Sequence, residues 1–183
     1  MKKTFAIGIV ILLFLGSCQQ KTAVSEKDTL LEQIKESEQK SFNDSTLSYN
    51  KKATLSTINL YQKFIERYPE DSLASNFLFQ CAQLSKSIDL YGEAIHNFKL
   101  FVEKYPNNKN TPKAMFLIGM IYENDIKNKE EAKKAYQDFI KKYPDDELSD
   151  DAQTLLQYLN LSDEELLNML IEKNKELTQK EKK

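Results

Sequence analysis

The sequence predicts an all-α fold made of antiparallel helix pairs, and three observations carry that prediction. One nine-residue phrase recurs at intervals of 37 and 38 residues, as YQKFIERYP at 61–69, FKLFVEKYP at 98–106 and YQDFIKKYP at 136–144. In each copy, bulky apolar residues stand at i, i+3, i+4 and i+7, which places them on one face of a helix. Only 4 of the 183 residues are glycine and 4 are proline, and Lys, Glu, Leu and Ala are abundant, as is typical of helical proteins.

Each copy of the phrase also predicts where its helix ends. The closing proline disfavours α geometry at the preceding tyrosine and cannot itself extend a helix. Basic residues crowd the last turn, where they complement the negative end of the helix dipole. The apolar residues form a stripe that we expect to face inward: Tyr61, Phe64, Ile65 and Tyr68; Phe98, Phe101, Val102 and Tyr105; and Tyr136, Phe139, Ile140 and Tyr143.

A second helix is predicted to begin after each proline. Acidic or capping residues open these helices, at 70–72, 107–112 and 145–151. Aligning the copies on their prolines matches Ala82 with Gly119 and Phe79 with Phe116. Small residues at such a position let a neighbouring helix approach closely, so the helices are expected to pack as pairs.

The complete pattern predicts about eight helices. Residues 27–67 are interpreted as a degenerate N-terminal pair, 68–160 as the repeats, and 161–183 as a capping helix with a polar tail. Ser162 and Glu165 are expected to form a capping box at the start of the last helix. The expected helices are 27–41, 46–67, 72–87, 90–105, 111–124, 128–142, 147–159 and 163–178.

Residues 1–17 are expected to be a signal peptide. A short basic start precedes TFAIGIVILLFLG, which is too short to span a membrane as a mature helix. The LGSC that follows, ending at Cys18, resembles the lipobox of bacterial lipoproteins, in which the cysteine sulfur carries diacylglycerol. We therefore expect Cys18 to be lipidated and residues 18–26 to tether the domain to a membrane. The alternatives are an ordinary secretory signal with a chance cysteine, or a buried cysteine.

Charge and composition argue against several kinds of site. Without residues 1–17 the chain has 24 basic and 28 acidic residues, and no basic cluster interleaved with aromatics predicts nucleic-acid binding. Any catalytic triad would need His96, the single histidine, which lies near solvent-side positions of a repeat helix. The acidic run DDELSDD at 145–151 lacks the ligand order of a calcium loop. We therefore predict no catalytic residues, no metal site and no cofactor.

The order small residue, aromatic, Ala, aromatic and Pro, at this period, resembles the tetratricopeptide repeat. The endings FVEKYP and FIKKYP further resemble envelope lipoproteins and periplasmic proteins of the BamD and YbgF type, over about residues 54–160. The resemblance implies a right-handed superhelix of antiparallel helix pairs. It also implies that partners bind the concave side, which the first helix of each pair lines.

Mapping that concave side onto the chain gives the candidate partner-binding residues. Phe116, Met120 and Tyr158 are the expected apolar anchors. The alternative is that a Phe or Met stripe at helical spacing belongs to the core. The full set implied by the resemblance is Asn76, Phe79, Gln83, Lys86, Lys113, Phe116, Met120, Glu123, Asp151, Thr154, Leu155 and Tyr158.

The resemblance implies a function as well as a fold. It suggests a membrane-anchored, non-catalytic scaffold that binds other envelope proteins or peptide segments, in outer-membrane protein assembly or cell-wall coordination. Gln19 stands where an Asp signals inner-membrane retention in enterobacterial lipoproteins, so we expect anchoring in the outer membrane, facing the periplasm. The alternative is a self-assembling or surface-displayed structural lipoprotein without a groove ligand. The sequence leaves the partner and the oligomeric state open.

Overall fold

A computed structural model describes residues 25–43 and 48–180 of the chain. The expected signal peptide, Cys18 and most of the tether lie outside these residues. Strand β1 (Phe42–Asn43) pairs antiparallel with β2 (Ser48–Tyr49), and a π-helical turn spans Ile121–Ile126. The helices are α1 (Glu26–Ser41), α2 (Lys51–Arg67), α3 (Ser72–Ser87), α4 (Tyr91–Lys104), α5 (Thr111–Met120), α6 (Lys129–Lys142), α7 (Ser149–Asn160) and α8 (Asp163–Lys180).

The helices pack in sequence order, each against the next, from α1 to α7. This arrangement confirms the predicted all-α fold of antiparallel pairs. None of the helices among the described residues combines the length and the apolar character needed to cross a membrane.

The turn that follows each nonapeptide is built in the same way three times. The last tyrosine leaves the helix with φ near −130° and ψ near 60°, because the proline after it disfavours α geometry. Two residues after each proline, a carboxylate or amide side chain accepts a backbone N–H that opens the next turn. These side chains are Asp71, Asn108 and Asp146, with acceptor distances of 2.9, 3.0 and 3.0 Å.

The predicted inward stripe is confirmed. The first two aromatic residues of each copy are almost fully buried, and the remaining stripe residues are half-buried. They contribute to three consecutive core clusters, centred on α1–α3, α3–α5 and α5–α7. Burial of these rings stabilises the fold by about 25 cal/mol for each Å² of apolar surface removed from water.

The helix expected at 46–67 begins later than predicted. Residues Ser48 and Tyr49 pair with β1, in the register Phe42 to Tyr49 and Asn43 to Ser48. Asn50 then caps α2, because its Oδ1 accepts the N–H of Ala53 at 3.0 Å. An amide side chain in that position satisfies an otherwise unpaired N–H at the helix start, so the helix begins at Lys51.

The helix expected at 111–124 does not end as a regular α-helix. After Met120 the backbone widens into the π-helical turn, and Lys127 takes a left-handed conformation with φ of 62°. The N–H of Asn128 donates to the carbonyl of Tyr122 at 2.8 Å and closes the turn. The capping box at α8 is confirmed, since the Glu165 N–H donates to Ser162 Oγ at 3.3 Å and the Ser162 N–H donates to Glu165 Oε2 at 2.8 Å.

Candidate functional site

A cleft of about 420 Å³ opens between α4 and α6, above α5. We call it the α4–α6 cleft. Its floor comes from α5 and the π-helical turn, and its two walls come from helices that end in the nonapeptide. The lining residues are Lys99, Val102, Glu103, Met115, Ile118, Tyr122, Glu131, Lys134, Ala135, Asp138 and Lys142.

The floor of the cleft is apolar. Met115, Ile118 and Tyr122 stand at i, i+3 and i+7 on α5 and the π-helical turn, so they share the face that lies between the two walls. Val102 of α4 and Ala135 of α6 extend this surface up the walls. Ile118 is almost buried, whereas the other four are half-buried. The floor can therefore receive an apolar side chain without rearrangement.

The rim of the cleft carries both signs of charge. Lys99 and Glu103 stand on the α4 wall, and the α6 wall contributes two acids and two lysines, namely Glu131, Lys134, Asp138 and Lys142. The Nζ of Lys99 lies 5.9 Å from the centre of the Tyr122 ring, a distance at which an ammonium group is attracted to an aromatic face. Because acids and bases are equal in number, the rim does not favour a polyanionic ligand.

The structure separates the predicted concave-side residues into three groups by exposure. Asn76, Lys113, Asp151 and Thr154 are exposed, and a second group is half-buried, namely Gln83, Lys86, Met120, Glu123, Leu155 and Tyr158. Phe79 and Phe116 are buried. These residues do not line the α4–α6 cleft, which lies on another face of α5.

Phe79 and Phe116 are core residues and do not belong to a groove surface. Their exposed fractions are 5% and 8%. The Phe79 ring lies 5.4 and 5.2 Å from the rings of Phe98 and Phe101 on α4. The Phe116 ring lies 5.7 and 5.8 Å from the corresponding rings on α6, Tyr136 and Phe139. Each phenylalanine fills the space between the two helices of its pair, and its prediction as a surface contact was therefore wrong.

Two charged residues of the predicted partner-binding set already have partners within the chain. Lys86 Nζ lies 3.1 Å from Asp125 Oδ2 and thus connects α3 to the π-helical turn. Glu123 Oε2 accepts a hydrogen bond of 2.7 Å from the hydroxyl of Tyr136. Their part in partner binding stays a prediction, as it does for the other exposed and half-buried candidates.

Cys81, His96 and Asp146 lie in three different environments. Cys81 is fully buried, and burial raises the pKa of its thiol to about 12, so it packs as a small apolar residue. His96 is exposed on α4. Asp146 accepts the N–H of Leu148 and so belongs to a turn. Within 25–43 and 48–180, no three His, Cys, Asp or Glu side chains are grouped so that they could hold a metal ion.

Sequence reasoning missed the α4–α6 cleft, although one signal pointed to it. Residues 114–122 read AMFLIGMIY, a run without any charged side chain. A helix that packs on one neighbour needs only one apolar stripe. The additional apolar residues of this run, which include Met115 and Tyr122, form the floor of the cleft.

Comparison with known proteins agrees with this architecture. A family model described as Tetratricopeptide repeat matches residues 113–146, which contain most of α5, the π-helical turn and α6, and thus the floor and one wall of the cleft. No curated protein matches the chain. Proteins of this repeat type are typically non-catalytic scaffolds for protein partners. The match and the stacked helix pairs together agree with an all-α fold of the tetratricopeptide-repeat type.

Proposed function

We propose that the protein is a membrane-anchored, non-catalytic scaffold of the bacterial envelope that binds other envelope proteins through the α4–α6 cleft. The observation that carries this proposal is the combination of an apolar floor with a rim of both charges. Interfaces that bind partners reversibly commonly pair a small apolar centre with a polar edge.

The shape of the cleft defines the kind of partner segment that it fits. Its volume of about 420 Å³ is near the lower end of the range of ligand pockets, roughly 300–1,000 Å³. One or two apolar side chains fit such a space. A peptide or helix with such an anchor, flanked by both acidic and basic residues, would complement the three lysines and three acids of the rim.

The membrane anchor is supported by the sequence alone. The LGSC motif follows a hydrophobic segment directly, and Cys18 stands only eight residues before Glu26, the first residue of α1. At roughly 3.3–3.6 Å per residue, such a tether holds the helical domain within about 30 Å of the bilayer. We place the protein at the outer membrane, facing the periplasm. A role in outer-membrane protein assembly or cell-wall coordination is supported by the BamD and YbgF resemblance.

Blocking the cleft tests the binding proposal. Ala135→Arg places a long charged side chain over the floor, whereas Gln62→Arg makes a similar change at an exposed position of α2, outside the cleft. In affinity capture from cross-linked envelopes, we expect Ala135→Arg to lose partners that Gln62→Arg and the wild type retain. Circular dichroism checks that both variants keep their helices. Equal partner sets for Ala135→Arg and the wild type would contradict the cleft as the binding site.

The anchor has its own experiment. Cells fed an alkyne-bearing fatty acid should label the wild-type protein, and Cys18→Ser should abolish the label and release the protein from membranes. Cys81→Ser should keep the label, because Cys81 is buried in the core. Labelling that survives Cys18→Ser would contradict lipidation at this residue.

A further inference from the structure

Helix α8 contains a fourth version of the nonapeptide, in which aliphatic residues replace the aromatic ones. Residues 167–175 read LNMLIEKNK, and they align with FKLFVEKYP at 98–106 without a gap. Leu167, Leu170 and Ile171 take the places of the inward stripe residues Phe98, Phe101 and Val102, and the Glu-Lys pair that follows is identical. Asn and Lys replace the final Tyr and Pro, so the signal that ends the other helices is absent.

The apolar stripe of α8 is exposed, whereas the stripes of the three nonapeptide helices are largely buried against neighbouring helices. Phe98 and Phe101 are 0% exposed, but Leu167, Leu170 and Ile171 are 57%, 50% and 43% exposed. The second helix of every earlier pair packs on the first helix of that pair, whereas the described residues of α8 make no comparable packing against α7. Three large apolar side chains on one helix face are thus left in solvent among the described residues.

Helix α7 explains why α8 does not fold back onto it. Alignment on the prolines places Thr154 at the position of the buried Phe79 and Phe116. It likewise places Gln157 at the position of the small residues Ala82 and Gly119. Thr154 and Gln157 are both exposed. The outer face of α7 therefore has neither a buried aromatic ring nor a small residue at which a second helix could approach closely. It does not provide a packing surface for the stripe of α8.

We propose that the stripe of α8 binds the same stripe of a second copy of this chain, with the two helices antiparallel. The charge of α8 supports both the partner and the direction. Residues 162–172 contain four acids and no basic residue, whereas residues 173–180, the rest of α8, contain three lysines and one glutamate. In an antiparallel pair the acidic end of each helix faces the basic end of the other, and in a parallel pair like charges would face each other.

This pairing leaves the α4–α6 cleft free. The cleft is lined by α4, α5, the π-helical turn and α6, and α8 follows α7 at the end of the stacked array. Each copy in the dimer therefore keeps its partner site, and failure of one proposal would leave the other standing.

Sedimentation equilibrium of the full chain in a density-matched detergent tests the pairing. We expect the wild type to show a concentration-dependent monomer–dimer equilibrium. Leu170→Glu should raise the dissociation constant at least roughly tenfold, because it places a charge in an apolar contact. Asn168→Glu adds the same charge on the polar side of α8 and should change the constant by less than about twofold.

Two outcomes would overturn the proposal. One is a wild-type protein that stays monomeric over the whole concentration range, including one that binds lipid vesicles through Leu170 instead. The other is an equal effect of Leu170→Glu and Asn168→Glu. The direction has a separate readout, since raising NaCl from about 0.05 to about 0.5 M screens attraction between opposite charges. Salt should weaken an antiparallel dimer, and a dimer that salt strengthens would contradict the antiparallel arrangement.

Discussion

The ring of Tyr136 on α6 lies directly over the backbone of Gly119 on α5. A methyl group built at Gly119 would come within 2.5 Å of Cε1 of that ring, closer than real carbon atoms approach. The tyrosine is fully buried, and its hydroxyl donates to Glu123 at 2.7 Å, so the ring cannot easily move aside. Close contact of the two helices therefore depends on the missing side chain.

Gly119→Ala should destabilise the protein even though alanine favours helices. The gain in helix propensity is about 1 kcal/mol, whereas overpacking in a core costs about 1–3 kcal/mol. We expect a net loss in the free energy of unfolding, measured by urea denaturation. Gly92→Ala is the matched control, because nothing lies within 4 Å of a methyl group there. It should be neutral or slightly stabilising, and the same sign for both variants would contradict the packing described.

Tyr136→Phe removes the hydroxyl that donates to Glu123. Burial and this hydrogen bond together raise the pKa of Tyr136 above its ordinary value, which shows that the neutral hydroxyl is favoured here. Loss of one hydrogen bond to a carboxylate costs about 1.5–3 kcal/mol. Tyr61→Phe should cost a similar amount, because its hydroxyl donates to Glu38 at 2.5 Å. The middle helix pair has Phe98 at the equivalent position, so the fold accepts a phenylalanine ring there. Urea denaturation measures the loss in both variants, and a loss much larger than that of one hydrogen bond would show that the ring itself had moved.

Phe116→Ala should cost about 3–5 kcal/mol, because truncating a buried ring leaves a cavity in the core. Lys113→Ala, one turn away and exposed, should stay within about 0.5 kcal/mol of the wild type. Thermal and urea unfolding measure both. A Phe116→Ala variant as stable as Lys113→Ala would return this ring to the surface and restore the interpretation as a groove anchor.

Asp71 gives the protein a contribution to stability that depends on pH. Its carboxylate accepts from Lys27 and from the N–H of Leu73, and these bonds hold its pKa below the ordinary value of 3.8. The contribution is therefore complete above that pH and is lost as the pH falls through the lower folded pKa. Asp71→Asn keeps the cap but not the charge. The gap in urea midpoint between the wild type and Asp71→Asn should be constant near neutral pH and should close below about pH 3.8. A gap independent of pH down to strong acid would exclude a role for the charge.

The helix pairs could be predicted from the sequence because each boundary has a local physical cause. A proline ends the helix before it, and two residues later the side chain of Asp71, Asn108 or Asp146 accepts an N–H in the turn that leads to the next helix. The pairing of β1 with β2 was missed because each strand has only two residues, too few to show an alternating pattern of apolar and polar residues. The stripe of α2 also continues the pattern far enough to suggest a longer helix.

The candidate site was harder to predict than the fold. The sequence pattern places Phe79 and Phe116 at equivalent positions of α3 and α5. It does not say whether a second helix covers the face on which each of them lies. The α4–α6 cleft joins Val102 to Ala135, residues 33 positions apart in the chain. The uncharged run at 114–122 indicates an apolar floor, but the width of the cleft depends on how far apart two stacked helices lie, which no local pattern encodes.

The most direct test of the central claim is a comparison of two photo-crosslinking positions in living cells. A photoreactive residue at Lys134, on the cleft rim, should capture a defined partner protein, and Ala135→Arg in the same chain should abolish that adduct. A photoreactive residue at Asn76, on the predicted concave side, should capture it weakly or not at all. If Asn76 captures the partner and Lys134 does not, the α4–α6 cleft is not the binding surface.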